Sequence, residues 1–396
     1  MKAKILLGLC LCLALGLKAQ NKQSFDVNIS QPSRFAVQVP DGNYRVTVTL
    51  GSRRYASATT ILAENRRLMA LDVKVPRRKQ QQVTFIVNKR TPAYTLTDRK
   101  GTHQGRVSIK QREKTYKTWN DSLDLQFTGT RPAVSRITVE PAGDIPVVYL
   151  CGNNTVTDQP RDPYASWGQM VTCWFNDSVA ICNTAESGLT ARTFIGSHRL
   201  DQICSLLKKG DYVFCEFGHN DEKEHYAGDG AWYHYVYNLK IFVDRVREKG
   251  ATIVFCTPTA RRRFDESGRL LDTHGDFPKA MRAVAQREQV PLIELNGMST
   301  AFFKALGPDD SRRALVHYPA STFAGQDKEL ADNTHFNPFG AYEISKMIVM
   351  GMKELQLPIV KYLRPSWRDF SPSAPDDWRS FPWIMESIDT TKPAGN

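Results

Sequence analysis

From Ile145 to about residue 355, short apolar runs alternate with helical patterns, and few architectures accommodate that rhythm. The runs are VVYLCG (147–152), VAICN (179–183), DYVFCEFG (211–218), ATIVFCTP (251–258) and PLIEL (291–295). The clearest intervening helix, WYHYVYNLKIFVDRVREKG (232–250), ends in a glycine after basic residues, which is a stop signal. A last helix opens at Asn337-Pro338 and runs through AYEISKMIVMGMKEL. Strand alternating with helix means an α/β domain, a mostly parallel sheet with helices on both faces. In such sheets ligands sit beyond the carboxyl ends of the strands. The loops after each run are therefore where chemistry is to be sought.

Upstream the periodicity changes. RVTVTL (45–50) alternates apolar and polar residues after the turn PDGN, and VTFIV (83–87) and LDLQF (123–127) look similar. Short strands with turn signals between them predict an all-β sandwich over residues 20–140. PAGD (141–144) is a natural boundary. The α/β domain is then expected over 145–360, followed by an irregular tail over 361–396 that contains SPSAPDDW. Nothing in the β region looks catalytic.

The first residues, MKAKILLGLCLCLALGLKAQ, carry Lys2 and Lys4, then an apolar core from Ile5 to Leu17, then Leu17-Lys18-Ala19. This is the pattern of a signal peptide spanning 1–19, so export to the periplasm or the extracellular space is expected, without a lipoprotein anchor or a membrane span. Export permits disulfides. Yet Cys151, Cys182, Cys215 and Cys256 lie in or beside strand-like apolar runs, where cysteine is commonly a small buried hydrophobe. No CxxC pair is present, which argues against a zinc site.

The net charge of +12 is uneven. Residues 20–140 hold 22 Lys and Arg against 9 Asp and Glu, whereas residues 141–396 hold 28 against 32. A basic exported module suggests an acidic polymer such as a uronic-acid polysaccharide, or simply a solvated basic surface. Nucleic acid is a poor partner for an exported chain.

Four loops carry polar residues suited to acyl chemistry. Gly152-Asn153-Asn154-Thr155 follows the first strand, AESGLTAR with Gly188 follows the second, and FGHND with Asn220 follows the third. Asp332-Asn333-Thr334-His335 precedes the last helix. Asp332 and His335, three apart, suit a carboxylate that orients a general-base imidazole. Gly188 lets a backbone N–H approach a substrate oxygen closely, and Asn220 can donate its carboxamide N–H to an oxyanion. Each feature alone has an ordinary reading as a turn, a cap or a surface loop. Asp162 and Gln169 are further candidates near the site. Trp167 and Trp232 suit either a sugar cleft or helix packing, and the run RRRF (261–264) suits either an acidic ligand or a solvated loop.

The segments LCGNNTVTDQ, ASWGQM, NTAESGLTARTFIG, GDYVFCEFGHNDEK and DNTHFNPFGA together resemble the SGNH (GDSL-like) hydrolases, in the rhamnogalacturonan acetylesterase-like branch. The resemblance covers residues 147 to about 355. It implies a three-layer, flavodoxin-like SGNH fold and removal of acetyl groups from acidic, pectin-like polysaccharides or oligosaccharides, with no metal or cofactor. The upstream region resembles the galactose-binding-like modules that accompany such esterases. Carried over by position, Gly188 and Asn220 are oxyanion donors, Asp332 and His335 complete the triad, and Asn154 stands at the nucleophile position. There the match breaks, because the family pattern places serine at that position. A serine hydroxyl can lose its proton to histidine and attack an ester. A carboxamide cannot, since its nitrogen lone pair is delocalised. Thr155 is an adjacent hydroxyl, but a neighbour on a tight turn points elsewhere, and Ser187 is a second hydroxyl beside Gly188. Activity is expected to be weak or absent, and a glycan-binding protein without turnover is the alternative.

Overall fold

The computed structural model describes residues 21–394. The leader expected over 1–19 lies outside the described residues.

The N-terminal unit contains β1 (Gln23–Ile29), β2 (Ser33–Gln38), β3 (Gly42–Leu50), β4 (Ser57–Ala63), β5 (Arg67–Val75), β6 (Gln81–Lys89), β7 (Ala93–Asp98), β8 (Gly101–Arg106), β9 (Ser122–Arg131) and β10 (Val134–Pro141). Two antiparallel four-stranded sheets, ordered β1-β10-β3-β6 and β2-β9-β4-β5, face each other, and β7 and β8 form a separate hairpin. Alternate residues point inward, as a period of two requires. Val46 and Val48 of β3, Phe85 and Val87 of β6, and Ile137 of β10 meet Ile61 of β4 and Leu125 and Phe127 of β9 in one core.

The second unit is built on a five-stranded parallel sheet of β11 (Val147–Gly152), β12 (Ala180–Asn183), β13 (Tyr212–Glu216), β14 (Thr252–Cys256) and β15 (Leu292–Ile293), in the order β12-β11-β13-β14-β15. The run PLIEL contributes two strand residues only. Its helices are α1 (Trp167–Met170), α2 (Ala191–Gly196), α3 (Arg199–Leu206), α4 (Val236–Glu248), α5 (Phe277–Glu288), α6 (Leu295–Asp310) and α7 (Pro338–Glu354). A short antiparallel pair, β16 (Leu315–Tyr318) and β17 (Leu330–Phe336), delivers the chain to α7.

The strands are apolar on both faces because both faces are covered. Val148 and Leu150 of β11, with Phe214 and Val254, pack against Trp167, Phe302, Ile344 and Ile348 on one side. Val147, Tyr149 and Cys151, with Val213 and Phe255, pack against Phe194, Leu200, Phe242 and Val284 on the other. This is the expected three-layer α/β domain behind a β domain. Asn337 caps α7 by accepting the Gly340 N–H at 3.0 Å, with Pro338 at the first helical position. The helix foreseen from residue 232 is regular only from Val236, because Ala231–Tyr235 forms a wider π turn. All six cysteines in the described residues are unpaired, and five of them are buried.

The two units are joined by buried ion pairs. Arg67, at the start of β5, donates to Asp158 at 2.6 Å, with both side chains almost inaccessible. Arg66 pairs with Asp162 and donates to the carbonyls of Gln159 and Tyr164. Arg199 of α3 grips Glu113 through 2.7 and 2.8 Å contacts. Much of the positive charge in residues 20–140 that faces the second unit is thus turned inward against carboxylates rather than offered to a ligand.

Candidate active site

Three parallel strands end side by side, and their loops converge with the β17–α7 junction. At the end of β11 the chain must turn tightly: a Cβ on Gly152 would lie 2.4 Å from Val156 and 2.8 Å from the Glu216 carbonyl. Asn154 follows on this turn and is buried. Its carboxamide makes four contacts. Oδ1 accepts from the Gly188 N–H at 2.8 Å and from Asn220 Nδ2 at 3.1 Å. Nδ2 donates to His335 Nε2 at 2.6 Å and to the Ala394 carbonyl at 2.7 Å. The Gly188 N–H can only donate, so Oδ1 is the atom that faces it and Nδ2 the atom that faces His335.

That orientation fixes the imidazole. Nε2 accepts, so Nδ1 carries the proton and donates to Asp332 Oδ2 at 2.7 Å. Asp332 Oδ1 accepts the backbone N–H groups of Thr334 and His335, each at 2.9 Å. Burial pushes the Asp332 carboxyl up, but the hydrogen bond from His335 and the two backbone donors outweigh it and hold it well below the usual carboxylate range. The Tyr164 and His335 rings meet perpendicular to each other at a centroid distance of 5.6 Å. The five residues singled out in the sequence, Asn154, Gly188, Asn220, Asp332 and His335, therefore form one hydrogen-bonded cluster.

Gly188 has φ +77°, a backbone conformation open to glycine at little cost. Asp221 holds the two donor loops together by accepting the N–H groups of Ala191 at 2.8 Å and Gly218 at 2.9 Å, and burial pushes its carboxyl up to about 7. Thr155 does not face His335: its hydroxyl donates to Glu216 at 3.0 Å. Ser187 Oγ accepts from Gln159 Nε2 at 3.3 Å. Asp162 and Gln169 belong to the joint between the units. Asp162 pairs with Arg66, and Gln169 Nε2 donates to the Arg66 carbonyl. Trp167 is buried in the core, with its indole N–H on Glu216.

Sequence reasoning missed three features. Glu216, at the end of β13, accepts from Thr155, Trp167 and the Thr259 N–H, and so ties the Asn154 turn to its neighbours. Residues 383–394 return over the site: Trp383 and the Glu386 N–H bond to Asp162, Lys392 Nζ lies 3.7 Å from Asp332, and Ala394 reaches Asn154. Third, Lys110 and Arg112 of the N-terminal unit contact the Ser187 carbonyl. Glu216, Lys110, Arg112 and Lys392 are charged, but a charge alone does not say which site it serves.

Two adjoining cavities open beside the cluster. One, of about 560 Å³, is lined by Asp332, Lys223, Lys392 and Arg261, Arg262 and Arg263. The other, of about 790 Å³, is lined by Trp232, Tyr233, Phe277 and His225, and the two share Glu222, Lys223 and Thr273. Trp232 is half exposed and held by its N–H on Asp276 at 3.0 Å.

Residues 148–341 match the GDSL-like lipase/acylhydrolase family. The chain is 38% identical over 218 residues to the rhamnogalacturonan acetylesterase RhgT of Bacillus subtilis (strain 168), an alignment covering 54% of this chain and 93% of that protein. This chain belongs to the GDSL-like family. It is also 27% identical over 198 residues to a rhamnogalacturonan acetylesterase of Emericella nidulans, covering 45% of this chain and 78% of that one. Similarity to the Bacillus subtilis uncharacterized esterase YxiM, 25% over 347 residues, covers 85% of this chain and 78% of that protein, and so reaches into the N-terminal unit. The crystal structure of YxiM superposes with a TM-score of 0.48 at 22% identity, covering 82% of this chain and 81% of that one.

Proposed function

We propose that this chain is an exported carbohydrate O-acetyl esterase of the rhamnogalacturonan and pectin type, silenced or slowed by Asn154. One observation carries the reading. A carboxamide occupies the place between a His–Asp pair and two converging N–H donors, with its carbonyl oxygen on those donors. That is where an ester carbonyl would be polarised and attacked. The basic cavity wall of Arg261, Arg262, Arg263 and Lys223 favours a polyanionic chain, and exposed Trp232 and Tyr233 favour sugar faces. The relatives named as rhamnogalacturonan acetylesterases support the acetyl group and the pectin class.

In the serine form, His335 would take the hydroxyl proton while Asp332 stabilises the imidazolium. The Gly188 and Asn220 donors would hold the tetrahedral oxyanion, and the same imidazole would protonate the departing sugar oxygen. With asparagine no acyl-enzyme forms, and only water activated by His335 could act. A second reading, a glycan-binding protein without turnover, is favoured by the fact that Asn154 already satisfies His335 and both donors.

The test measures acetate release from acetylated pectin and from a small aryl acetate, alongside calorimetric binding of acetylated oligogalacturonides. Turnover confined to the Asn154→Ser variant supports a silenced esterase. No turnover by either form, with retained binding, supports the second reading. Neither turnover nor binding overturns both.

A further inference from the structure

The peptide bond between Ser187 and Gly188 has two ends. Its N–H is the one aimed at Asn154 Oδ1. Its carbonyl points the other way, and two cations from the N-terminal unit converge on that single oxygen. Lys110 Nζ donates to it at 2.5 Å and Arg112 Nη2 at 2.6 Å. Both side chains come from one short 3-10 turn, with Lys110 capping Gln111–Thr115. Arg112 is held in turn by Glu186, to which its Nε donates at 2.7 Å. Lys110 is fixed through its backbone N–H, which donates to Glu113 Oε2 at 2.7 Å, and Glu113 is locked by Arg199. The chain is continuous: Arg199, Glu113, Lys110, then the Ser187 carbonyl.

We propose that Lys110 and Arg112 are positioning residues for the oxyanion donor, so that the β unit completes the site of the α/β unit. The inference rests on the reading of the Gly188 N–H as that donor. Two effects follow from charge-assisted bonds to the carbonyl. They fix the plane of a peptide that glycine would otherwise leave free to rotate. They also draw electron density toward the carbonyl oxygen, which makes the N–H of the same amide a stronger donor, as linked hydrogen bonds polarise one another. A donor preset in orientation needs no reorganisation when the oxyanion forms. A contact serving only to glue the units would have no reason to concentrate two cations on the one carbonyl that shares a peptide with Gly188. Elsewhere in the joint a carbonyl meets a single cation, as Arg66 donates to those of Gln159 and Tyr164 and Arg90 to that of Asn183.

The test has two arms. In the chain as it stands, selective 15N-glycine labelling reports the Gly188 amide, assigned by its loss in Gly188→Ala. Lys110→Met should move that resonance upfield and speed its hydrogen exchange, while Lys110→Arg should restore it. In the Asn154→Ser background, Lys110→Met should lower kcat on an aryl acetate about tenfold with KM within twofold. Adding Arg112→Met should approach the roughly hundredfold loss that follows removal of one oxyanion donor, and Lys110→Arg should recover most of it.

An unmoved Gly188 resonance in Lys110→Met overturns the proposal whatever the kinetics. So does a loss shared by kcat, KM and melting temperature that Lys110→Arg fails to rescue, since that pattern marks a merely structural contact. If Asn154→Ser has no activity even with Lys110 present, the esterase reading fails, and the resonance arm still decides whether Lys110 polarises this peptide.

Discussion

Asn154→Ser is the decisive perturbation, and the structure sets its size. Oδ1 now occupies the Gly188 and Asn220 donors, and Nδ2 occupies His335 Nε2. Serine vacates both donors for a substrate carbonyl and can place a hydroxyl against the imidazole. Loss of a triad serine costs about a million-fold in kcat, while an oxyanion hole and binding alone retain about a thousand-fold over water. The donors and the His335–Asp332 pair are already assembled, so the variant should gain at least about a thousand-fold on an aryl acetate. The full million-fold, about 8 kcal/mol of barrier, is the ceiling. Stability should move the other way. Serine cannot replace the contacts to Gly188, Asn220 and Ala394, and at about 1 kcal/mol net for each the upper bound is about 3 kcal/mol, reduced where water refills the space. The assay combines burst kinetics, a search for an acetyl group on residue 154 by mass spectrometry, and thermal melting. A variant that melts within a few degrees of the parent, yet hydrolyses less than about tenfold faster with no acetylated residue 154, refutes the assignment of this position.

Three further outcomes are expected. Arg67→Met leaves Asp158 buried without its partner and should cost about 3–5 kcal/mol in denaturant unfolding, while Arg67→Met with Asp158→Leu should recover much of the loss; equal losses would show that the pair is not coupled. Burial pushes the Glu64 carboxyl up to about 8, against the lowering charge of Arg67. The folded state therefore holds a proton that the unfolded state releases above about 4.5, so wild-type stability falls as pH rises from about 4.5 to 8. Glu64→Gln, which mimics the protonated form, should melt progressively higher than wild type across that window, and parallel profiles would contradict the shift. Ending the chain after Met385 removes the Ala394 carbonyl and Lys392 from the mouth of the site, so in the Asn154→Ser background kcat/KM for small esters should rise several-fold; a fall would mean that the strap helps to form the site.

Among the positions named from sequence, Asn154, Gly188 and Asn220 were legible because they follow strands, and parallel strands bring their carboxyl ends to one edge. Asp332 and His335 were legible by spacing, three apart before a capped helix. Thr155 could be set aside from local geometry, and its hydroxyl does point to Glu216. The basic character of residues 20–140 was visible as a count, yet the count did not say where the charges point. Arg66 and Arg67 carry neighbouring numbers, and their partners Asp162 and Asp158 lie more than ninety residues away.

The sequence by itself thus determined the alternation of strand and helix, the loops in which polar residues would gather, and the presence of a carboxamide at residue 154. Only the tertiary structure decided that the Asn154 carboxamide sits between His335 and the Gly188 and Asn220 N–H groups, that Lys110 and Arg112 grip the carbonyl behind Gly188, and that residues 383–394 close over Asp332. The physical reason is the range of the interactions. Periodicity, caps and turns act within a few residues and leave a pattern in the chain. Contacts such as Lys110 with Ser187, or Asn154 with Ala394, join segments separated by 77 and 240 positions, and no local pattern records them.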